Sequence, residues 1–342
     1  MKVKVIGGGF AGSEACYQLL KRGAEVTLAE MKPLKKSPAH TLDGLCEVVC
    51  SNSLKSDDLS TSSGLLKAEM RLLDSLVISC AEQARVPAGN ALAVDRNLFS
   101  DLVTAKLNSF DRFTRIAKVE DSLSADGFDC VICATGPLTD DALIPAFRQI
   151  FGDDFLYFFD AVAPIVTAES VDYDSAFVAS RYGKGDADYL NCPMNKDEYL
   201  AFYRELVSAE KVQLKDFENN VFEGCMPIEI MASRGEDTMR FGPLKPVGLR
   251  DSRKDEKPYA VLQLRKENAL GTLYNLVGFQ TNLKFPEQKR VFSMIPASKN
   301  AEFVRYGVMH RNTYVNAPKF LDRNFALKSD PKLYFAGQIT GV

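Results

Sequence analysis

Two cysteines in polar segments are the residues of this chain best placed for covalent chemistry. Cys225 follows a glycine in EGCMPIE, within a segment rich in Gly, Pro and Arg, and Cys50 lies in VVCSNSL. A working thiol needs access to its substrate and surroundings that stabilise its thiolate, and both segments are polar enough to provide them. Each cysteine is therefore a candidate nucleophile, although an ordinary accessible thiol would give the same pattern.

The other six cysteines are expected to be thiols of the core. Cys130 and Cys133 form a C-x-x-C pair in an apolar strand, where residues three apart point to opposite faces. No second pair accompanies them, so we expect no metal site. Only two histidines, His40 and His310, are present, which gives a Cys–His dyad little support. An arginine, a helix end or a bound cofactor is a better candidate for activating a thiol. The remaining core thiols are Cys16, Cys46, Cys80 and Cys192.

A glycine-rich turn near the N-terminus predicts a dinucleotide site. The G-x-G-x-x-G pattern lies between a predicted strand and a predicted helix, and Glu30 ends the next strand. Such glycines let the backbone approach a pyrophosphate, and the acidic residue accepts hydrogen bonds from ribose hydroxyls. Two later strand–turn segments, ATGP and YFAGQITG, favour FAD over NAD. The predicted cofactor residues are Gly7, Gly8, Gly9, Phe10, Ala11, Gly12, Glu30, Gly136, Gly337 and Gln338.

The elements around this turn predict an α/β fold with a doubly wound parallel sheet. Strands are predicted over 2–6, 24–30 and 128–137, and the first helix should bury Ala15, Leu19 and Leu20. Residues 64–84 are predicted to form one helix, and 95–110 another that Asp95 caps. The stretch 33–63 shows no regular element.

The chain changes character after about residue 170, where polar, turn-rich segments alternate with strands such as YAVLQL and LYNLVGF. This change predicts a Rossmann-like FAD-binding domain over 1–170, an inserted smaller α+β domain over 171–300, and a return to the first domain over 301–342.

The composition predicts a cytosolic globular protein. Of 342 residues, 46% are hydrophobic and 25% charged, and the net charge is −3. No apolar run reaches the ~18 residues of a membrane span, and the N-terminus lacks the pattern of a signal peptide. This net charge does not predict nucleic-acid binding, but it leaves room for a local basic face.

Several long motifs resemble one family. The chain is similar, over nearly its whole length, to the FAD- and folate-dependent tRNA uracil-5 methyltransferases of the TrmFO type. The matching segments are VIGGGFAGSEA, SPAHTLDGLCEVVCSNSLKS, GLLKAEMRLLDSL, VPAGNALAVDR, ATGPLT, YLNCPMNKDEY, FEGCMPIEIMASRGEDTMRFGPLKPVGLRD, LYNLVGFQTNLKFPEQKRVFSMIP, EFVRYGVMHRNTYVNAP and YFAGQITGV.

The resemblance implies a reaction and its participants. The family transfers a one-carbon unit from 5,10-methylenetetrahydrofolate to a uridine of the tRNA T-loop, using FAD that NAD(P)H reduces. By resemblance, Cys225 would add to carbon 6 of the ring and Cys50 would assist near the flavin, in proton removal from carbon 5. The target base must leave its stack, so contacts to the RNA backbone are needed. The candidates are Lys284, Lys289 and Arg290, with Lys35 and Lys36 in the early loop.

Three alternatives accompany this reading. The same chemistry could act on a uridine of ribosomal RNA. A plain FAD-dependent NAD(P)H oxidoreductase would use the glycine turn but would not need Cys225, and a truncated RNA-binding remnant would hold no flavin. The resemblance also implies that family members continue past the position of Val342 with a helix whose N-terminus faces the flavin, so we expect a truncated chain.

Overall fold

The computed structural model describes residues 1–37, 39–152, 155–183, 186–212, 226–253 and 257–341. The described strands, in chain order, are β1 Lys2–Ile6, β2 Glu25–Glu30, β3 Ser53–Ser56, β4 Arg85–Val86, β5 Ala91–Val94, β6 Phe113–Ala117, β7 Cys130–Cys133, β8 Phe155–Ala161, β9 Ile165–Thr167, β10 Phe177–Val178, β11 Leu190–Met194, β12 Ala260–Lys266, β13 Leu273–Leu276, β14 Phe303–Arg305, β15 Met309–Val315, β16 Ala326–Leu327 and β17 Asp330–Phe335.

Helices alternate with the early strands and then cluster in the middle of the chain. The described α-helices are α1 Phe10–Lys21, α2 Ser62–Leu72, α3 Leu76–Gln83, α4 Arg96–Asn108, α5 Ile144–Phe151, α6 Lys196–Ser208, α7 Ile228–Ser233, α8 Thr238–Phe241, α9 Phe285–Phe292 and α10 Ala317–Phe320. Among the described residues, no helix combines the length and apolar character needed to cross a bilayer.

The first sheet has the order β16-β17-β7-β1-β2-β6, and its strands are parallel from β17 to β6. One face packs Val3, Val5 and Leu28 against α1, α3 and α4, and the other packs Ile6, Val131 and Phe335 against α5. Helices on both faces of a parallel sheet make a doubly wound α/β fold. The predicted fold class is confirmed.

The second sheet is antiparallel, with the order β10-β11-β12-β13-β9-β14. One of its faces packs against α6, α7 and α9 in a separate core. The antiparallel pair β8–β15 lies on the two chain segments that flank this sheet. The second sheet therefore begins at Ile165 and ends at Arg305. The division at 170/171 and 300/301 stays a prediction.

The local predictions hold in part. Asp95 caps α4 by accepting hydrogen bonds from the backbone N–H groups of Asn97 and Leu98 at 3.0 and 3.1 Å, as expected. Cys130 and Cys133 lie in the cores on opposite sides of the first sheet, also as expected.

Three local predictions need correction. Residues 64–84 do not form one helix, because Asp74 has a φ of 54° and Ser75 starts α3 by capping the N–H of Ile78. The buried stripe of α1 includes Cys16, Tyr17 and Leu20, whereas Ala15 and Leu19 are only half-buried. The stretch 33–63 contains β3, which pairs with β5.

Candidate functional site

The glycine loop lies between β1 and α1 and leaves no room for side chains at two positions. A Cβ on Gly12 would lie 1.8 Å from the carbonyl oxygen of Gly7, and a Cβ on Gly7 would lie 2.7 Å from that of Ala134. Gly7 also has a φ of 97°, which other residues rarely adopt. Gly9, in contrast, faces open space, with no atom within 4 Å of a Cβ built there. The loop is thus tightly packed except at Gly9. There its backbone faces a cavity lined by the ends of β1 and β2 and by the segments that follow them.

Glu30, at the carboxyl end of β2, is one of the residues that line this cavity. Its Oε2 accepts a hydrogen bond from the backbone N–H of Gly8 at 2.6 Å, and its Oε1 accepts one from Lys32 at 3.0 Å. Its side chain is buried. A buried carboxylate needs such donors, and both are supplied by backbone that the fold already fixes. The carboxylate therefore lies beside the loop where the sequence predicts ribose recognition.

Thr135 of the ATGP turn and the residues after that turn form another part of the lining, to which Gly136 does not contribute. Thr135 and Thr139 line the cavity, and the Thr139 hydroxyl donates to the carbonyl oxygen of Gly136 at 2.9 Å. Gly136 itself has a φ of 65°. The remaining lining residues include Lys32, His40, Glu47, Lys118, Glu120 and Asp140. The cavity is therefore lined by backbone, charged and apolar groups at the carboxyl edge of the parallel sheet, where such folds bind nucleotides.

The last predicted cofactor residues lie on the other side of α1. Gly337 approaches the start of that helix so closely that a Cβ there would lie 2.4 Å from the Cβ of Ala11. Gln338 is exposed and lines a second cavity with Ile132 and Tyr334. Phe10 packs its ring against Phe99, with centroids 5.7 Å apart. Gly337 therefore packs against the start of α1, beside the glycine loop. Neither Gly337 nor Gln338 lines the cavity that contains Glu30.

Charged groups in the early loop are buried near that cavity. Burial is the main reason why the pKa of Lys32 is lowered, and the charges of Glu30 and Glu47 oppose the shift. Burial and the charge of Lys32 likewise lower the pKa of His40. The ammonium group of Lys32 lies 3.8 Å from Glu47 and donates to the carbonyl oxygen of Gly44 at 2.6 Å. These groups give this wall of the cavity its polar character.

Cys50 is half-buried in the same early loop. Arg96, from α4, binds the backbone before Cys50, and Arg265, from β12, binds side chains after it. Cys225 lies outside the described residues. The structure therefore places one of the two predicted catalytic cysteines, next to the second sheet.

The other thiols of the described chain lie in the core. Cys16, Cys46, Cys133 and Cys192 are fully buried. Burial raises the pKa of Cys16 to about 12 and that of Cys133 to about 11, and it also raises those of Cys46 and Cys192. Such thiols are poor nucleophiles at neutral pH.

The basic residues predicted to contact RNA are exposed, and four of the five form ion pairs. Lys284 lies 2.6 Å from Glu210, and Arg290 lies 2.8 Å from Glu287. Lys35 and Lys36 pair with Asp140 and Asp43 at 2.6 and 2.7 Å, and Lys289 is exposed on α9. Exposed pairs of this kind are worth little and can be exchanged for phosphate contacts.

Comparison with known proteins gives the family. The family model described as "Glucose inhibited division protein A" matches residues 2–342. A protein of Acetivibrio thermocellus named "Methylenetetrahydrofolate--tRNA-(uracil-5-)-methyltransferase TrmFO" is 57% identical over 341 residues, which cover 99% of this chain and 78% of that protein. The protein of the same name from Moorella thermoacetica is 56% identical over 100% of this chain and 78% of its own length.

This chain belongs to the GidA family, in its TrmFO group. The predicted resemblance is thereby confirmed. Among solved structures, GidA of Aquifex aeolicus superposes with a TM-score of 0.73 at 13% identity, over 100% of this chain and 62% of that one, which supports the fold.

The sequence motifs did not identify the three arginines that bind the early loop between residues 39 and 52. The sequence motifs do not single out Arg96, Arg265 or Arg305, although Arg96 ends the matching segment VPAGNALAVDR and Arg305 lies within EFVRYGVMHRNTYVNAP. Their contacts join residues up to 266 positions apart, so no local pattern could have identified them.

Proposed function

We propose that this chain is a methylenetetrahydrofolate-dependent tRNA (uracil-5-)-methyltransferase that forms 5-methyluridine in the T-loop. The observation that carries the proposal is the 57% identity, over 99% of the chain, to a protein of that name. In this proposal residues 1–170 and 301–342 hold the flavin, residues 171–300 form the inserted substrate domain, and the enzyme acts in the cytoplasm.

The glycine loop fits FAD. Gly9 leaves open space in front of the N-terminus of α1, where a pyrophosphate is stabilised by backbone N–H groups and the helix dipole. Glu30 lies beside the loop, where ribose hydroxyls would bind. When bound, FAD would supply the carrier for the methylene group and the electrons that reduce it.

The chain's own contribution is to activate the uracil. Carbon 5 of uracil is a poor nucleophile until a thiolate adds at carbon 6, which converts the ring into an enolate. We assign that addition to Cys225 and the later removal of the carbon 5 proton to Cys50. Elimination of Cys225 then restores the double bond. Overall, 5,10-methylenetetrahydrofolate gives up its methylene unit and is released as tetrahydrofolate, a hydride equivalent from NAD(P)H completes the methyl group, and this group replaces the carbon 5 proton.

The tRNA would be held by exposed basic residues. Lys284, Lys289 and Arg290 lie on or beside α9, and their carboxylate partners are themselves exposed or half-buried. Phosphates can therefore replace these partners at low cost. We propose these three as contacts to the RNA backbone, with Lys35 and Lys36 near the cavity.

Isotope transfer tests the proposal. The protein is incubated with unmodified tRNA transcript, FAD, NAD(P)H and methylene-¹³C-labelled methylenetetrahydrofolate, and the nucleosides are analysed by mass spectrometry. The proposal predicts labelled 5-methyluridine in tRNA, but none in a transcript whose T-loop target uridine is cytidine. Label found only in ribosomal RNA would support the ribosomal alternative. NAD(P)H oxidation that leaves every RNA unlabelled and persists in Cys225→Ala would support the oxidoreductase.

A further inference from the structure

The chain on both sides of Cys50 is bound by two arginines. On one side, Arg96 donates hydrogen bonds from Nη1 to the carbonyl oxygens of Val48 and Val49, the latter at 2.9 Å. On the other side, Arg265 donates from Nε to Asn52 Oδ1 at 2.8 Å and from Nη2 to Ser51 Oγ at 2.5 Å. The four residues that flank Cys50 are thus all held by guanidinium groups.

Both arginines are themselves fixed. The Nε of Arg96 lies 2.7 Å from Glu267, and the two side chains are 11% and 3% exposed. Asn52 is fully buried and donates to the carbonyl oxygens of Val94 at 3.1 Å and Lys266 at 2.9 Å. The segment is therefore bound to β5, in the three-stranded sheet β3-β5-β4, and to the second sheet through β12. A buried network in which every member is satisfied sets one conformation.

A third arginine approaches from the same face of the second sheet. Arg265 pairs with Asn275, Asn275 with Ile165, and Ile165 with Arg305 across four neighbouring strands, so the four side chains lie on one face. Arg305 donates to the carbonyl oxygen of Ala39 at 2.7 Å. The early loop from Ala39 to Asn52 therefore runs across this face, beneath Arg305 and Arg265.

Charged groups of both signs lie near the Cys50 segment in the described chain. Glu267 neutralises Arg96, and Lys32 faces Glu47. Within the described chain, the hydrogen bonds of Arg265 and Arg305 go to uncharged groups. Burial and the charge of Arg96 lower the pKa of Arg305, whereas the charges of Glu47, Glu267 and Cys50 act in the opposite direction. His40, whose pKa is lowered mainly by burial, adds little positive charge at neutral pH.

We propose that Arg96 and Arg265 are positioning residues for Cys50, and that Arg265 and Arg305 together favour its thiolate. The proposal rests on the proposed function, in which Cys50 must accept a proton. A thiolate near the guanidinium groups of Arg265 and Arg305, whose described hydrogen bonds go to uncharged groups, can do this at neutral pH, whereas an ordinary thiol is mostly protonated there. The hydrogen bonds of Arg96 and Arg265 to the residues beside Cys50, which we call the clamp, keep the sulfur where that charge acts.

Alkylation of Cys50 tests this without any RNA. Purified protein with FAD is treated with iodoacetamide from pH 6 to pH 10, and modification of the Cys50 peptide is followed by mass spectrometry. Arg265→Gln and Arg305→Gln should each slow alkylation at pH 7 about tenfold and raise the midpoint of its pH profile by about one unit. Arg112→Gln, which removes an exposed arginine bound to the carbonyl oxygen of Gly23, should behave as the parent protein.

Two further variants separate charge from packing. Arg265→Lys keeps the charge, so its midpoint should stay near that of the parent even if the clamp is weakened. Arg305→Gln leaves both clamp arginines in place, so it remains informative if Arg265→Gln fails to fold. Faster alkylation with an unchanged midpoint in both Gln variants would show that the arginines only cover the segment, and would overturn the proposal. A protein that shows the predicted shifts but methylates no RNA would refute the proposed function and leave this inference standing.

Discussion

The glycine loop offers a matched pair of substitutions that separates folding from cofactor binding. In Gly12→Ala, the new Cβ would lie 1.8 Å from the backbone oxygen of Gly7, so the loop or the helix must move by ~1.6 Å to reach an ordinary contact. Overpacking of this kind costs about 1–3 kcal/mol, and the upper end is expected because the obstacle is backbone. In Gly9→Ala, the Cβ meets nothing within 4 Å and φ is −76°, so the free energy of unfolding should change by less than about 0.5 kcal/mol.

Gly9→Ala, the variant expected to keep its stability, should be the one that binds FAD more weakly. A pyrophosphate in front of α1 would meet the methyl group of Gly9→Ala, and we expect its Kd for FAD to rise at least tenfold, or about 1.4 kcal/mol. With FAD at 100 times the parent Kd, the parent protein should gain about 2.7 kcal/mol of stability and Gly9→Ala only about 1.4 kcal/mol.

Urea unfolding with and without FAD, together with titration of the apoprotein by flavin fluorescence, measures both quantities. Normal stability of Gly12→Ala would refute the steric reasoning. Parent-like FAD affinity in Gly9→Ala would mean that the loop is only a structural turn.

Three further predictions follow from buried charges and thiols. Arg96→Ala leaves Glu267 buried without its partner and should lower the free energy of unfolding by about 3–5 kcal/mol, whereas the exposed Arg85→Ala should cost less than about 1 kcal/mol; equal losses in urea unfolding would contradict this. Because burial lowers the pKa of His40 below its ordinary value of 6.5, the unfolded state binds the proton more tightly, and stability should fall as the pH drops below about 6.5. His40→Gln should lose less stability than the parent between pH 7 and pH 5, and parallel curves would argue against this titration. In native protein at pH 7.5, iodoacetamide should modify Cys50 before the fully buried thiols Cys16, Cys46, Cys133 and Cys192, and peptide mapping should show this order.

The sequence predicted the parts of the fold that local patterns encode. Strand, glycine turn, helix and acidic strand end form a unit of about 30 residues, and β1, α1 and Glu30 appear where the spacing indicated. The capping side chain of Asp95 acts within three residues, so it too could be identified.

Features that depend on distant residues were not predictable in this way. The break between α2 and α3 interrupts an apolar periodicity that continues through Leu72, Leu73 and Leu76, and only the left-handed backbone of Asp74 reveals it. The strand β3 exists because β5 pairs with it, about 35 residues later. Arg265 and Arg305 come from strands more than 200 positions away from the residues they bind, and Arg96 comes from α4, 47 positions from Val49. The candidate site was therefore predicted as a set of cysteines and glycines, without the arginines that position the thiol.

Covalent trapping on RNA tests the central claim most directly. A tRNA transcript with 5-fluorouridine at the T-loop position is incubated with the protein, FAD, NAD(P)H and methylenetetrahydrofolate, and the cross-linked peptide is identified by mass spectrometry. Fluorine cannot leave carbon 5 as a proton does, so a thiolate that has added to carbon 6 stays attached. The account predicts a complex linked through Cys225, which is absent in Cys225→Ala and still forms in Cys50→Ala. A link through another residue, or a complex that persists in Cys225→Ala, would contradict it.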